Sequence, residues 1–139
     1  MNDTRARVAG WGTRLLAALG LAVDAAVHAS LAGQYDAVTA GISEGTLFRV
    51  EAVAAALAAL LVLLRWHWIG DLFAGATALA GLVAIVLYRY VDVGGFGPFP
   101  DMYEPIWSAA KWWVVGGTAI ALLALGWRPR GGYRSSRAP

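Results

Sequence analysis

The chain has 139 residues, of which 59% are hydrophobic and 14% are charged, and its mean hydropathy is +0.58. This composition excludes an ordinary soluble domain, and the absence of cysteine excludes disulfides, thiolate metal sites and thiol catalysis. The net charge of +2 and pI near 9.3 do not indicate nucleic-acid binding, because the arginines lie at the ends of apolar segments, where a bilayer explains them.

Four apolar runs follow one another along the chain. Each is long enough to cross a hydrocarbon core of about 30 Å at about 1.5 Å per residue. They predict membrane-spanning helices over residues 14–33, 46–64, 72–91 and 105–127. The whole chain is therefore predicted as one four-helix membrane bundle of the all-α class, with a basic, flexible tail over residues 128–139.

The first run also has a second interpretation. Its arginine-rich start, its apolar stretch and the small residues around Val27-His28-Ala29, before Ser30, are typical of a secretory signal peptide. Asp24 argues against that interpretation, because an acid inside so short an apolar region weakens a signal peptide. The first run is therefore predicted to be an uncleaved span.

The third and fourth runs carry two packing signals. Ala76, Ala80 and Ala84 recur at every fourth position, which predicts the close approach of a neighbouring helix. Pro105 suits the first turn of the fourth helix, where its missing N–H costs nothing. Lys111 would then lie nearly two turns inside that helix.

The segment 89–111, RYVDVGGFGPFPDMYEPIWSAAK, is the longest interruption of the apolar pattern. It contains three of the nine acids, three of the five prolines and the only lysine. Its glycines lack the spacing of a nucleotide-binding loop and follow an apolar span. We predict that it caps the bundle, and that structural ion pairs in and around this cap involve Arg49, Arg89, Asp92 and Asp101.

The basic residues are divided unevenly between the two sides of the bundle. An even number of spans places both termini on one side. That side and the short turn between the second and third runs hold eight of the eleven basic residues, namely Arg5, Arg7, Arg14, Arg65, Arg128, Arg130, Arg134 and Arg137. The positive-inside rule predicts a multi-pass protein of the plasma membrane with both termini in the cytoplasm. Most tryptophans lie near predicted span ends, as in an interfacial belt: Trp66, Trp68, Trp107, Trp112, Trp113 and Trp127.

Three ionisable residues, Asp24, Glu51 and Lys111, lie inside the predicted spans. A charge at the bilayer centre costs about 2.5 to 3.5 kcal/mol, so these groups are expected to turn inward and pair. Lys111 shares its helix face with Glu104 and Trp107. Together these residues predict a polar pocket for a ligand or proton, opening on the non-cytoplasmic side.

His28 follows Asp24 by four residues, on the same helix face. The pair fits a metal site or a proton relay, because a carboxylate and an imidazole can share one ion or proton. It also fits internal pairing, in which Asp24 holds His28 or Lys111. As metal ligands Asp24 and His28 are weak candidates, since His67, the second histidine, is predicted on the cytoplasmic side. The same separation argues against a bis-histidine haem, and no cofactor is assigned.

Three stretches, DAAVHASLAGQY, SEGTLFRVEA and the segment 89–111, resemble a group of small four-span integral membrane proteins of actinobacteria. The resemblance implies that a recurring set of residues is shared, without implying an activity: Asp24, His28, Tyr35, Glu51, Arg89, Asp92, Asp101, Glu104, Trp107 and Lys111. The architecture is more loosely similar to DoxX-like proteins. It is also similar to small multidrug transporters, although those carry a glutamate in a different local sequence and lack the long cap.

Two functions are compatible with these features. The first is a non-catalytic accessory or assembly component whose polar outer site stabilises the bundle or docks a partner, since no serine triad, phosphate loop or glycosidase carboxylate pair is recognisable. The alternative is a small transporter or membrane enzyme that handles a ligand, proton or metal at Asp24, His28, Glu51 and Lys111. The predicted partners are the lipid bilayer and a membrane protein or a second copy of the chain, but not nucleic acid.

Overall fold

The computed structural model describes residues 2–65 and 67–127, and for Asn2 and His67 it describes the backbone. It is 76% helical, and the described residues form no strand. The four long helices are α1 (Asn2–Leu31), α2 (Glu44–Leu63), α3 (His67–Tyr90) and α4 (Ala109–Gly126). The predicted all-α four-helix bundle is confirmed. The flexible tail predicted over 128–139 and the belt position of Trp66 lie outside the described residues.

The first three helices begin earlier than the hydropathy indicates, and α3 starts at His67 rather than at residue 72. α1 extends back to Asn2 because residues 2–13 contain no proline, and the side chains of Arg7 and Thr13 hydrogen-bond to carbonyls of the preceding turn. α2 begins at Glu44, where the hydroxyl of Ser43 accepts a hydrogen bond of 3.0 Å from a backbone N–H of the first turn. The apolar runs therefore underestimate the lengths of these helices.

The fourth helix begins later than predicted. It starts at Ala109 because the hydroxyl of Ser108 accepts a hydrogen bond of 3.3 Å from the backbone N–H of Lys111, which caps the helix. Pro105 therefore precedes the helix, and its predicted place in the first turn is wrong. Lys111 lies in the first turn, close to the cap, rather than nearly two turns inside.

The helices are arranged around the bundle in the order of the chain. Each packs against the next, and α4 packs back against α1, so that α1 and α3 are diagonal. Gly20 of α1 and Gly117 of α4 meet where these two helices cross, and a Cβ atom on Gly20 would overlap the carbonyl oxygen of Gly117. Two small residues therefore allow the two backbones to touch.

The half of the bundle nearest the N-terminus is a dry core built mainly from alanine. Its buried residues are Ala17, Ala18, Leu21, Ala58, Ala59, Val62, Ala74, Ala78, Ala121 and Ala124. The interface predicted along Ala76, Ala80 and Ala84 is wrong, because all three are exposed and α3 buries Ala74 and Ala78 instead. Both sets have the same spacing of four, and spacing alone does not determine which face meets the neighbouring helices.

A polar link closes the same end of the bundle. Nη1 of Arg14 on α1 donates a hydrogen bond of 2.9 Å to the carbonyl oxygen of Val62 on α2 and lies 4.0 Å from the carboxylate of Asp71 on α3. A charged donor at this position satisfies a helix C-terminal carbonyl and ties three helices together.

Candidate ligand-binding cavity

A cavity of about 290 Å³ occupies the other half of the bundle, beneath the loop between α3 and α4. All four helices contribute to its wall, and the loop covers it. The charged and aromatic residues of the wall are His28, Tyr35, Glu44, Phe48, Glu51, Tyr88, Arg89, Glu104 and Lys111. The bundle is therefore divided into a dry half and a half that contains a polar cavity.

Asp24 and His28 form the floor of this region. Asp24 is completely buried, and its Oδ1 lies 2.8 Å from Nδ1 of His28. Nδ1 also lies 3.0 Å from the backbone oxygen of Asp24, which is the better oriented acceptor, since neither carboxylate oxygen has hydrogen-bond geometry to a described residue. The contact between imidazole and carboxylate is therefore mainly electrostatic. Of the alternatives open in the sequence, the structure has Asp24 paired with His28.

Glu51 of α2 meets Asp24 above a glycine of α3. A Cβ atom on Gly81 would lie 3.2 Å from Oε1 of Glu51 and 3.7 Å from Oδ2 of Asp24, so both carboxyl groups lie directly over the Gly81 backbone. Oε1 of Glu51 is buried and has no hydrogen-bond partner among the described residues. Two acids and one imidazole thus converge from two helices, as the inward turn of these residues predicted. Burial of two carboxyl groups side by side requires a compensating positive charge or proton.

Lys111 and Glu104 close the opposite end of the cavity. Nζ of Lys111 donates to the carbonyl oxygens of Glu104 at 2.7 Å and Ile106 at 2.6 Å, and lies 3.1 Å from Oε2 of Glu104. The two carbonyl oxygens use two of the three ammonium protons, and the contact with the carboxylate is an ion pair. Lys111 therefore fastens the cap to the start of α4 and contacts Glu104 rather than Asp24.

Glu44 is a cavity residue that the sequence reasoning did not select. It is only 7% exposed, although it occupies the first turn of α2. Among the described residues, no side-chain hydrogen bond or ion pair involves its carboxyl group, and it lines the cavity. One signal points to it: Glu44, Phe48 and Glu51 are spaced i, i+4, i+7 and so share one face of α2.

Arg89 and Trp107 form an aromatic cluster beside the cavity. Cζ of Arg89 lies 4.8 Å from the ring centroid of Tyr90 and 5.6 Å from that of Trp107. Trp107 in turn stacks on Trp112, with centroids 4.5 Å apart and an interplanar angle of 19°. Trp107 does not line the cavity, so its predicted place in the ligand site is wrong. It supports the cap instead, through its contacts with Arg89 and Trp112. Nε of Arg89 is buried without a hydrogen-bond partner among the described residues.

The remaining predicted cap residues make local contacts. Asp92 accepts a hydrogen bond from the backbone N–H of Gly94, and Asp101 accepts one from that of Tyr103, so each stabilises a loop turn rather than an ion pair. Arg49 forms a bidentate pair with Asp36 at 2.7 and 2.8 Å. The hydrogen bonds from Arg49 hold the pKa of Asp36 below its usual value.

No group of three or more histidine, cysteine, aspartate or glutamate side chains in the described parts of the chain is arranged to hold a metal ion. Asp24 and His28 thus supply two potential ligands on one helix. The other chemistry that the cavity offers is hydrogen bonding and ion pairing by carboxylates, beside aromatic rings.

The fold and cavity define a small, multi-pass integral membrane protein. All four helices are long and apolar enough to cross a bilayer, and large apolar side chains such as Leu57, Leu79 and Leu123 are exposed on the outside of the bundle, as a lipid environment requires. Comparison with family models, with curated proteins and with solved structures gave no match.

Proposed function

We propose that this protein is a non-catalytic membrane component that binds a small ligand in the cavity beneath its cap, on the non-cytoplasmic side. The observation that carries the proposal is a cavity of about 290 Å³ whose wall includes the buried Oε1 of Glu51, which has no hydrogen-bond partner in the described chain, beside the carboxyl group of Asp24, which likewise has none. Buried polar groups are ordinarily hydrogen-bonded, and an exception in a concave site is typical of a place where a ligand supplies the partner.

The dry half of the bundle supports binding rather than conduction. Ala17, Ala58, Ala78 and Ala121 are fully buried between the cavity and the opposite end. A polar solute that entered under the cap would meet this alanine core. The site therefore has one open end, which suits a receptor-like or accessory role, including delivery of a ligand to a membrane-protein partner or a second copy of the chain.

The lining residues also support a non-catalytic role. Ser108 is engaged as the cap of α4, and His28 lies at the deep end with Asp24, so these two described residues do not form a nucleophile and base pair. The cavity is assigned to the non-cytoplasmic side of the membrane because it lies at the end of the bundle away from the N-terminus. The uneven distribution of arginines favours cytoplasmic termini.

A second function, proton-linked transport, is favoured by the cluster at the cavity floor. Asp24, His28 and Glu51 are three titratable groups that converge inside the bundle, Asp24 paired with His28 and Glu51 beside Asp24 over Gly81, as in membrane proton relays. In that case the alanine core would have to open during the cycle. Proton uptake that accompanies ligand movement into sealed vesicles, and that Glu51→Gln abolishes, would establish this alternative.

Single cysteines test the main proposal directly, because the natural chain has none. Ala80 lines the cavity, whereas Ala78 is fully buried in the dry core, two residues away on the same helix. In intact cells, membrane-impermeant methanethiosulfonates of either charge should modify Ala80→Cys and leave Ala78→Cys intact. Modification of Ala80→Cys only in inverted vesicles, or in neither preparation, would refute an outward-opening site.

The ligand itself is sought by native mass spectrometry of the protein in nanodiscs. Wild type should retain a small molecule that Ala84→Trp, which fills the cavity wall, excludes. Ala76→Trp is the control, since Ala76 is exposed but does not line the cavity. Equal retention by all three proteins would place the molecule elsewhere.

A further inference from the structure

Two of the basic residues around the cavity, Lys111 and His28, face an acid, whereas two of its carboxyl groups have no ion pair among the described residues. Lys111 donates to two backbone carbonyls and is ion-paired with Glu104. The guanidinium of Arg89 lies over the aromatic rings beside the cavity, and its buried Nε has no hydrogen-bond partner among the described residues. His28 faces Asp24. Glu44 and Glu51, in contrast, have no hydrogen bond or ion pair with a cation among the described residues, so the local excess of charge is negative.

Glu44 is the clearest sign of a missing partner. Its side chain is more than nine-tenths buried and directed to the cavity, while its backbone N–H is satisfied by the carbonyl of Val38 at 2.8 Å. Its carboxyl oxygens are not fully enclosed, and they face the cavity without an ion-pair partner among the described residues. A ligand that brings a positive charge into the cavity could therefore pair with Glu44.

Aromatic rings stand between the two acids. Phe48 lies one helical turn from Glu44 and just under one turn from Glu51, and its ring contacts His28 at 5.1 Å and Tyr35 at 4.9 Å between centroids. A carboxylate at each end of an aromatic wall is an arrangement that attracts an ammonium group, through ion pairing and cation–π contact together. A metal ion would gain little from an aromatic wall, and an anion would meet the two free acids.

Given that the cavity binds a ligand at all, as proposed above, we infer that the ligand is a small organic cation, a protonated or quaternary amine. Its ammonium group lies between Glu44 and Glu51, and its alkyl groups contact Phe48. A volume of about 290 Å³ limits it to a compact molecule below typical drug size.

Three probes of one shape and different charge test this inference. Choline carries the quaternary nitrogen, its uncharged isostere has carbon in that position, and a carboxylate of the same skeleton supplies the opposite charge. Equilibrium dialysis against the full-length protein in nanodiscs at fixed salt should rank choline first, tighter than the uncharged isostere by about tenfold or more.

Variants of the wall assign the effect to these residues. Glu44→Gln and Glu51→Gln keep the side-chain shape and should each weaken choline binding about tenfold, with little change for the uncharged isostere. Asp92→Asn, which removes an acid from the exposed cap, is the control and should bind choline as wild type does. If a glutamine variant does not fold, Phe48→Leu provides a second test. It should weaken the binding of choline more than the binding of the uncharged isostere.

The remaining outcomes separate the two proposals. Three results would each refute the inference that the ligand is a cation, while leaving a ligand cavity in place. They are equal affinity for all three probes, preference for the carboxylate, and equal losses of choline affinity in Glu44→Gln and Asp92→Asn. Failure of all three probes to bind while Ala80→Cys reacts from outside would also overturn it. If Ala80→Cys is unreactive as well, the proposed function itself fails.

Discussion

The imidazole of His28 lies 2.8 Å from the carboxylate of Asp24, one turn earlier on α1, and Asp24 is completely inaccessible to solvent. A carboxylate at that depth would be costly alone, and His28 is the nearest described group that can carry a compensating charge. The pair therefore allows an acid to stand at the junction between the dry core and the cavity.

Removal of the His28 side chain should consequently destabilise the bundle more than removal of a partly exposed side chain ordinarily does. We expect His28→Leu to lower the free energy of unfolding by about 3–5 kcal/mol, because it leaves the Asp24 carboxylate buried and uncompensated. Unfolding by sodium dodecyl sulfate in mixed micelles, followed by circular dichroism, measures this loss.

The double variant Asp24→Leu with His28→Leu is the matched control. It removes both polar side chains and should recover most of the stability, giving a coupling energy of about 0.5–3 kcal/mol in the thermodynamic cycle. Simple additivity of the two single variants would show that the 2.8 Å contact has no energetic consequence.

Lys111 gives a second expectation, because it connects the cap to α4 through two carbonyl groups and one carboxylate. Lys111→Met should loosen the cap without unfolding the helices. Amide hydrogen exchange within residues 92–108 should accelerate by about tenfold or more, while exchange in α2 stays unchanged.

Glu104→Gln is the control for that experiment, since it weakens the carboxylate contact and keeps both carbonyl acceptors. We expect it to accelerate exchange less than Lys111→Met does. Equal effects would mean that the side-chain ion pair, not the carbonyl contacts, holds the cap.

Hydropathy and the cost of buried charge were sufficient to predict the four helices and the inward turn of Asp24 and Glu51. Both arguments depend only on the energy of placing a group in lipid, which the local sequence determines. The pairing of Asp24 with His28 was among the predicted alternatives for the same reason, since a spacing of four fixes the helix face.

The residues that the sequence did not place correctly depend on contacts between distant segments. Lys111 was placed too deep because Ser108, and not Pro105, defines the start of α4. Glu44 lies at a helix start, where acids are normally exposed, and it is buried because distant segments, the cap among them, surround the cavity that it lines. Periodicity of alanines on α3 likewise did not reveal which face the neighbouring helices cover.

The pair between Asp36 and Arg49 should make stability depend on pH in the acidic range. Because the hydrogen bonds from Arg49 lower the pKa of Asp36 in the folded state, its contribution is fully present above the unfolded pKa of about 3.9. It is lost as the pH falls through the lower, folded pKa. The difference in Tm between wild type and Asp36→Asn should therefore be constant from about pH 5 to 8 and shrink below about pH 4.

The effect should be small and should weaken with salt, since both side chains are about half exposed. Asp92→Asn, which alters an acid bound to a backbone N–H instead of an arginine, is the comparison variant. If the difference in Tm between wild type and Asp36→Asn grew as the pH fell below about 4, the sign of this linkage would be wrong.

The crossing of α1 and α4 provides the sharpest test of packing, because adjacent glycines of α4 have opposite surroundings. A Cβ atom on Gly117 would lie 2.7 Å from the carbonyl oxygen of Gly20, whereas one on Gly116 would have no atom within 4 Å. Gly117→Ala should therefore lower the free energy of unfolding by about 1–3 kcal/mol through overpacking. Gly116→Ala should be neutral or stabilise by up to about 1 kcal/mol, since alanine is the better helix former. Detergent-induced unfolding of both variants measures the contrast, and similar changes in the two would show that the helices do not cross with their backbones in contact at Gly20.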